Sequence, residues 1–267
     1  MPIGLALAVV MSLARGVSAD PLSPDRQREI LRDALTAYDA AVAVAHSDPT
    51  EAERQYRVAA GGFQALCDAG LSNAALEYNL GNVHFRLGEF GRAILHYRRA
   101  ERFASTDARL AANLRYARDH VEPLIAPSGQ ARLVHRLLFW HYSTLVRHRF
   151  WALVVCFAVG WPLLVAWLRW RRRPLAVVGL LGIALGLAAG LSAHWQLMDE
   201  VRRPHAVIVG EDVLLRLGRG EGSDLAIKQP LGPGVEVRII EQRGDWLEIR
   251  LANDQAGWVP TEAVERV

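Results

Sequence analysis

The sequence predicts a multidomain chain: an all-α stack of helix pairs, a two-helix transmembrane hairpin, and a small all-β barrel at the C-terminal end. Three observations predict it. Apolar residues recur at helical spacing over 24–121 and the pattern repeats after 34 residues; two runs, 150–168 and 174–193, hold no charged residue; and beyond residue 204 short alternating runs are separated by Gly, Asp and Pro.

Composition narrows the function classes before any motif is read. The 267 residues leave room for one large or two to three small domains, and the net charge of 31 − 28 = +3 is too small to argue a nucleic-acid partner. Arg169, Arg171, Arg172 and Arg173 sit together between the two uncharged runs, which ties the basic excess to membrane topology. Cys67 falls in a helical stretch and Cys156 inside an uncharged run, so a disulfide between them would join different phases; both read as small buried apolar residues.

Residues 1–19 have a short apolar core from Ile3 to Leu13 and end in Val17, Ser18 and Ala19, the pattern of a secretory signal peptide cleaved after Ala19. No Lys or Arg precedes that core and Arg15 interrupts its end, so an uncleaved anchor or a start codon placed too late stay open beside it.

Over 24–121 a shift of 34 residues lays Tyr56, Ala59 and Phe63 on Phe90, Ala93 and Tyr97, and Asn79 and Leu80 on Asn113 and Leu114. The best-formed unit is 74–107. There Gly81 and Ala93 let two helices approach closely, Gly88 makes the turn, Phe90 and Tyr97 fill the space, and Leu80, Phe85 and Ala100 complete the packing set. This unit resembles the tetratricopeptide repeat. It departs from that pattern at Glu77, where a large aromatic is usual, and at Ser105, where a proline often ends the unit. A degenerate helix pair broken at Asp48-Pro49 precedes it and a closing helix follows, because one repeat cannot bury its own apolar face. The resemblance implies a groove for a partner segment, with Asn79 and Asn82 on the first helix as its binding residues. Glu77 and Glu89, the repeat carboxylates near that groove, read as helix-surface charges, and His84 and His96 as packing or surface groups.

Residues 122–149 read as a linker followed by an interfacial helix. The stretch 122–130, "EPLIAPSGQ", has no helical period. In 131–150 apolar and basic residues mix with Trp140 and Tyr142, which fits the headgroup level of a membrane or a helix covering part of the repeat stack.

The uncharged runs predict transmembrane helices over 150–169 and 174–195. Five residues, "RWRRR", join them, so the pair is a tight antiparallel hairpin and its flanks share one side of the membrane. The arginine-rich turn and the leader place both soluble parts outside the cytoplasm, at a bacterial inner membrane. Gly182, Gly186 and Gly190 form a ridge of small residues that serves either the hairpin itself or a partner's helix. With no carboxylate or lysine in either run, transporter and channel readings fall away.

In 204–267, "AVIVG", "DVLLRLG", "GVEVRIIEQ", "GDWLEIRL" and "AGWVP" predict five short strands of a closed barrel. The run from Gly244 to Ile249 and then Gly257-Trp258-Val259-Pro260 looks like the closing half of a bacterial SH3-like domain. Trp246 and Trp258 fill the core or rim of such a barrel, or recognise a peptide or glycan. The glycine-alternating "LGRGEGSD" reads as a hairpin loop, since no helix follows it.

The order of parts resembles the Bat-type (aerotolerance-associated) membrane proteins over nearly the whole chain. That resemblance implies partners among von Willebrand A-domain membrane proteins, an indirect link to a MoxR-type AAA ATPase, and a role in envelope assembly or stress tolerance. The residues point to a non-enzymatic scaffold without cofactor or metal: no nucleophile, metal or phosphate motif is present and the nine histidines are scattered. The rival expectation is a peptidoglycan-binding accessory protein or cell-wall hydrolase subunit.

Overall fold

A computed structural model of the chain describes residues 22–103, 107–139, 144 and 146–267; the leader over 1–19, Ser105, Trp140 and Tyr142 lie outside the described residues. The chain divides into two compact units, Met1–His120 and Val121–Val267.

Five helices make up the described part of the first unit: α1 (Pro24–Val44), α2 (Pro49–Asp68), α3 (Ala74–Arg86), α4 (Phe90–Phe103) and α5 (Ala108–Arg118). Their starts are written in the sequence. Ser23, Asp48, Asn73 and Asp107 are N-caps whose side chains accept backbone N–H bonds from the first turn, and Pro24 and Pro49 open α1 and α2, where a missing N–H costs nothing. Each helix packs on the next in order. The α1–α2 seam is made of small residues: Ala34, Ala37 and Ala41 are buried, and a Cβ added at Gly62 would lie 2.8 Å from that of Ala34. In the central pair Gly88 turns the chain at φ +75°. Leu80, Ala93, Tyr97 and Ala100 are fully buried there, and Phe85 meets Phe90 edge-on at 5.6 Å.

In the second unit, α6 (Gly129–Leu137) precedes α7 (Val146–Trp170) and α8 (Arg173–Arg202). The last two are long and apolar enough to cross a membrane. Only Arg171, at φ +53°, and Arg172 separate them, a tighter turn than the five-residue connector expected. The glycine ridge faces α7: added Cβ atoms at Gly186 and Gly190 would lie 2.9 Å from Cys156 Cβ and 3.0 Å from Leu153 Cδ2, and at Gly182 3.7 Å from the Cys156 carbonyl oxygen. Gly160 and Gly179 extend the same seam, each with the other's carbonyl oxygen 3.1 Å from where its Cβ would stand. At the open end of the hairpin Arg149, 4 % exposed, donates to Ser192 Oγ at 2.7 Å, to the Thr144 carbonyl at 3.2 Å and to Gln196.

The C-terminal part is a five-stranded antiparallel sheet in the order β4-β3-β2-β1-β5, with β1 His205–Ile208, β2 Glu236–Arg243, β3 Trp246–Arg250, β4 Ala256–Pro260 and β5 Val264–Arg266. Leu247, Ile249 and Val259 point inward with Val237 and Ile239, as the alternation predicts. One expected strand is corrected. "DVLLRLG" forms no ladder: Asp212 takes φ +48°, and only isolated bridges, Val213 to Leu231 and Arg216 to Leu225 and Trp258, engage the segment. The fifth strand is instead the short β5, paired with β1. The "LGRGEGSD" stretch is closed at its base by the Arg216–Leu225 bridge.

The linker expected over 122–130 is not free, and Val121, expected to end the helical domain, lies beyond the last helix of the first unit, which stops at Arg118. Val121 and Ile125 pack on the sheet core, the Gly232 N–H donates to the Glu122 carbonyl at 3.1 Å, and Ser128 Oγ donates to Asp254 at 2.6 Å.

Candidate functional site

Two features of the first unit bear on function, an open cavity and a buried polar chain. The cavity, about 360 Å³, lies between α1 and the α2–α3 corner. Leu31, Leu66, Leu71 and Leu76 give it apolar lining, and Gln27, Arg28, Asn73 and Asn79 supply polar groups. Its apolar character continues along α1, where Leu31, Leu35 and Val42 are 39 %, 40 % and 45 % exposed. These positions are spaced to share one face of the helix.

The two asparagines expected in the groove are not equivalent. Asn79 lines the cavity. Asn82 is engaged inside the fold: its Oδ1 accepts from Tyr97 Oη at 2.8 Å and from Asn113 Nδ2 at 3.1 Å, and Asn113 also donates to Tyr78 Oη at 3.1 Å. Burial pushes the Tyr97 phenol pKa well above its usual value, so the hydroxyl stays a donor. Asn82→Ala is therefore expected to destabilise the unit by about 1–3 kcal/mol, because two donors lose their acceptor. Denaturation of the purified variant checks this; a loss below about 0.3 kcal/mol contradicts it.

The buried chain overturns the surface reading of Glu77. That residue is 4 % exposed, and its Oε2 meets Nδ1 of His96, itself 4 % exposed, at 2.8 Å. The His96 ring stacks on His84 with centroids 5.3 Å apart and planes 5° from parallel. His84 Nδ1 in turn meets Glu89 Oε2 at 2.7 Å, and Glu89 is flanked by Arg57 at 3.6 Å and Arg92 at 3.9 Å. Ser72 Oγ donates to the other Glu77 oxygen at 3.3 Å, and Cys67 Sγ lies 4.0 Å from it. Glu89 is half-buried by this contact, so its surface reading is corrected as well. The physical reason is mutual: a carboxylate can occupy an interior packing position when a histidine facing it supplies the hydrogen bond. A signal existed in the sequence. Glu77 and His84 are seven residues apart, two turns along one face of α3, and both stand among residues that pack inward.

Burial, with Glu77 adding to it, pushes the Cys67 thiol up to about 11, so it stays protonated near neutrality. Among the described residues no group of three His, Cys, Asp or Glu side chains could hold a metal ion.

His84 makes the unit sensitive to acid. Burial lowers its pKa from 6.5; the stacked His96 and Arg92 act in the same sense, and Glu89 opposes them. A histidine that binds its proton less readily folded than unfolded gives up stability as pH falls through 6.5 toward its depressed folded value, and costs nothing above 6.5. Melting at pH ~5.5 is expected to come at a lower temperature than at pH ~7.5, and His84→Phe to shrink that difference. An equal acid shift in the variant would remove His84 from the account.

In the second unit, Trp246 and Trp258 are half-buried on the outer face of β3 and β4, in register opposite Pro260 and Glu248 respectively. Arg219 reaches over the Trp258 ring at 5.7 Å from its centroid.

Comparison with protein-family models, with curated proteins and with solved structures finds no match to this chain.

Proposed function

We propose that the chain is a non-enzymatic scaffold, anchored by α7 and α8 in a bacterial inner membrane, whose tetratricopeptide-like helices hold a segment of a partner protein. The observation that carries this reading is the cavity between α1 and the α2–α3 corner, apolar inside and continuous with an exposed apolar line along α1. A cavity lined by leucines with a few amide and guanidinium groups suits the apolar side chains of a helix or extended segment whose backbone bonds at the edge. The hairpin tethers the chain that carries this groove to a membrane. Its short turn supports placing both soluble parts on one side, taken as the extracytoplasmic side, with the C-terminal sheet as an SH3-like domain. The Bat-type resemblance names the partner class: von Willebrand A-domain membrane proteins, coupled through them to a MoxR-type ATPase.

Leu31→Glu with Asn79→Ala tests the groove, since Leu31 is already 39 % exposed and the fold is expected to tolerate the change. Co-purification from detergent-solubilised membranes is expected to lose partner yield by about tenfold or more, the cost of facing a carboxylate to an apolar segment. Unchanged partner yield with a folded variant overturns the groove.

The outer face carrying Trp246, Trp258 and Arg219 favours a second reading, a peptidoglycan-binding accessory protein. Binding to purified sacculi that is abolished by Trp258→Ala supports it; sacculus binding that ignores this change rules it out.

A further inference from the structure

We propose that α6 lies in the headgroup layer of an anionic membrane, with its apolar side turned toward the acyl chains and Arg132 and Arg136 on lipid phosphates. The inference rests on the reading of α7 and α8 as a spanning hairpin and adds to it a second, in-plane contact.

The helix has an apolar side that the chain leaves open. Leu133, Val134 and Leu137 are 58 %, 42 % and 67 % exposed, and Leu138 and Phe139, just past the end of α6, are 41 % and 67 % exposed. At about 100° per residue, positions 133, 134 and 137 fall within about 100° of arc, and Arg132 and Arg136 lie to one side of it. Both arginines are exposed, and 129–139 contains no Asp or Glu. A short helix of this kind suits the boundary between headgroups and hydrocarbon, where apolar burial and attraction to anionic lipid add.

What selects lipid as the occupant is where the two ends of α6 are tied. Upstream, Ser128 N–H and Oγ donate to the Ala252 carbonyl at 3.3 Å and Asp254 at 2.6 Å, which fastens the helix start to the sheet. The sheet is in turn held to the end of α8: Arg238 pairs with Asp199, and the Ile239 N–H donates to the Pro204 carbonyl at 3.0 Å. Downstream, the Thr144 carbonyl accepts from Arg149 at 3.2 Å, and the same guanidinium donates to Ser192 of α8. Leu137 is thus seven residues from a point fixed at the open end of the hairpin, a reach of about 25 Å at most. The lipid that surrounds the hairpin is within that reach.

The test uses the full chain with Cys67→Ala and Cys156→Ala, carrying one new cysteine at Leu133, Leu137, Arg136 or Val155, each labelled with an environment-sensitive fluorophore. The protein is reconstituted in vesicles of phosphatidylcholine and phosphatidylglycerol containing lipids spin-labelled near the headgroup or near the chain end. Val155, exposed on α7, reports the hairpin. The expected result is deep quenching at 155 and shallow quenching at 133 and 137 about twice or more that at 136, falling when phosphatidylglycerol is omitted. Quenching at 155 without quenching at 133 and 137 overturns the in-plane helix while the hairpin stands, and covers the case in which a second copy masks α6. Shallow quenching that is indifferent to phosphatidylglycerol overturns the anionic-lipid assignment. No quenching at 155 sinks the hairpin and this inference together.

Discussion

Glu77→Ala is expected to destabilise α3 and α4 by about 1–3 kcal/mol, the usual cost of leaving buried polar groups without their hydrogen-bond partner. His96, 4 % exposed, would lose its carboxylate, and the Ser72 hydroxyl its acceptor. The stack on His84 gives His96 no replacement, because ring faces offer no hydrogen-bond acceptor in the ring plane. Replacing both members, Glu77→Leu with His96→Leu, is expected to recover most of the loss, since an apolar pair of similar volume needs no partner. Hydrogen-exchange protection of α3 and α4 in the detergent-solubilised chain reads both changes. A single variant as stable as the parent, or a double variant worse than the single, contradicts a buried and mutually dependent pair.

Gly81→Ala is the second large effect. A Cβ there would lie 2.4 Å from Tyr97 Cδ1 and 2.5 Å from Cε1, distances at which something must move. Tyr97 is fully buried and its hydroxyl is held by Asn82, so the ring cannot swing aside without breaking that bond. Overpacking of this kind costs about 1–3 kcal/mol and at times more. It outweighs the gain of about 1 kcal/mol that alanine brings to a helix interior. Gly61→Ala on α2 is the control: nothing lies within 4 Å of its added Cβ, so only the propensity gain remains and stability is expected to rise. If the two alanines shift stability in the same direction, close packing is not what position 81 requires.

Much of this fold could be read from spacing alone because the signals are local. The turn at Gly88 and the uncharged runs each act within a few residues and fall where the sequence predicts them, and the caps at Ser23, Asp48, Asn73 and Asp107 are local in the same way. The misses are tertiary. Glu77 looks like a surface charge until a histidine 19 residues away is placed opposite it. The segment 122–130 looks like a linker, and Val121 like the end of a helix, because Val121 and Ile125 find their apolar partners only on a sheet formed later in the chain. "DVLLRLG" has the apolar content of a strand, and Leu215 is fully buried, yet its neighbours offer single bridges rather than a ladder. Of the two asparagines, spacing placed both on α3 but could not tell that Asn79 borders a cavity and Asn82 holds Tyr97.

The proposed role stands or falls on occupancy of the cavity beside α1. A photo-crosslinking amino acid at Asn79, introduced in the full chain in native membranes, tests it most directly. The account predicts an adduct with a membrane protein carrying a von Willebrand A domain, lost when Leu31→Glu is added. An adduct that persists with Leu31→Glu, or none at all from Asn79 while the chain is folded and membrane-inserted, contradicts it.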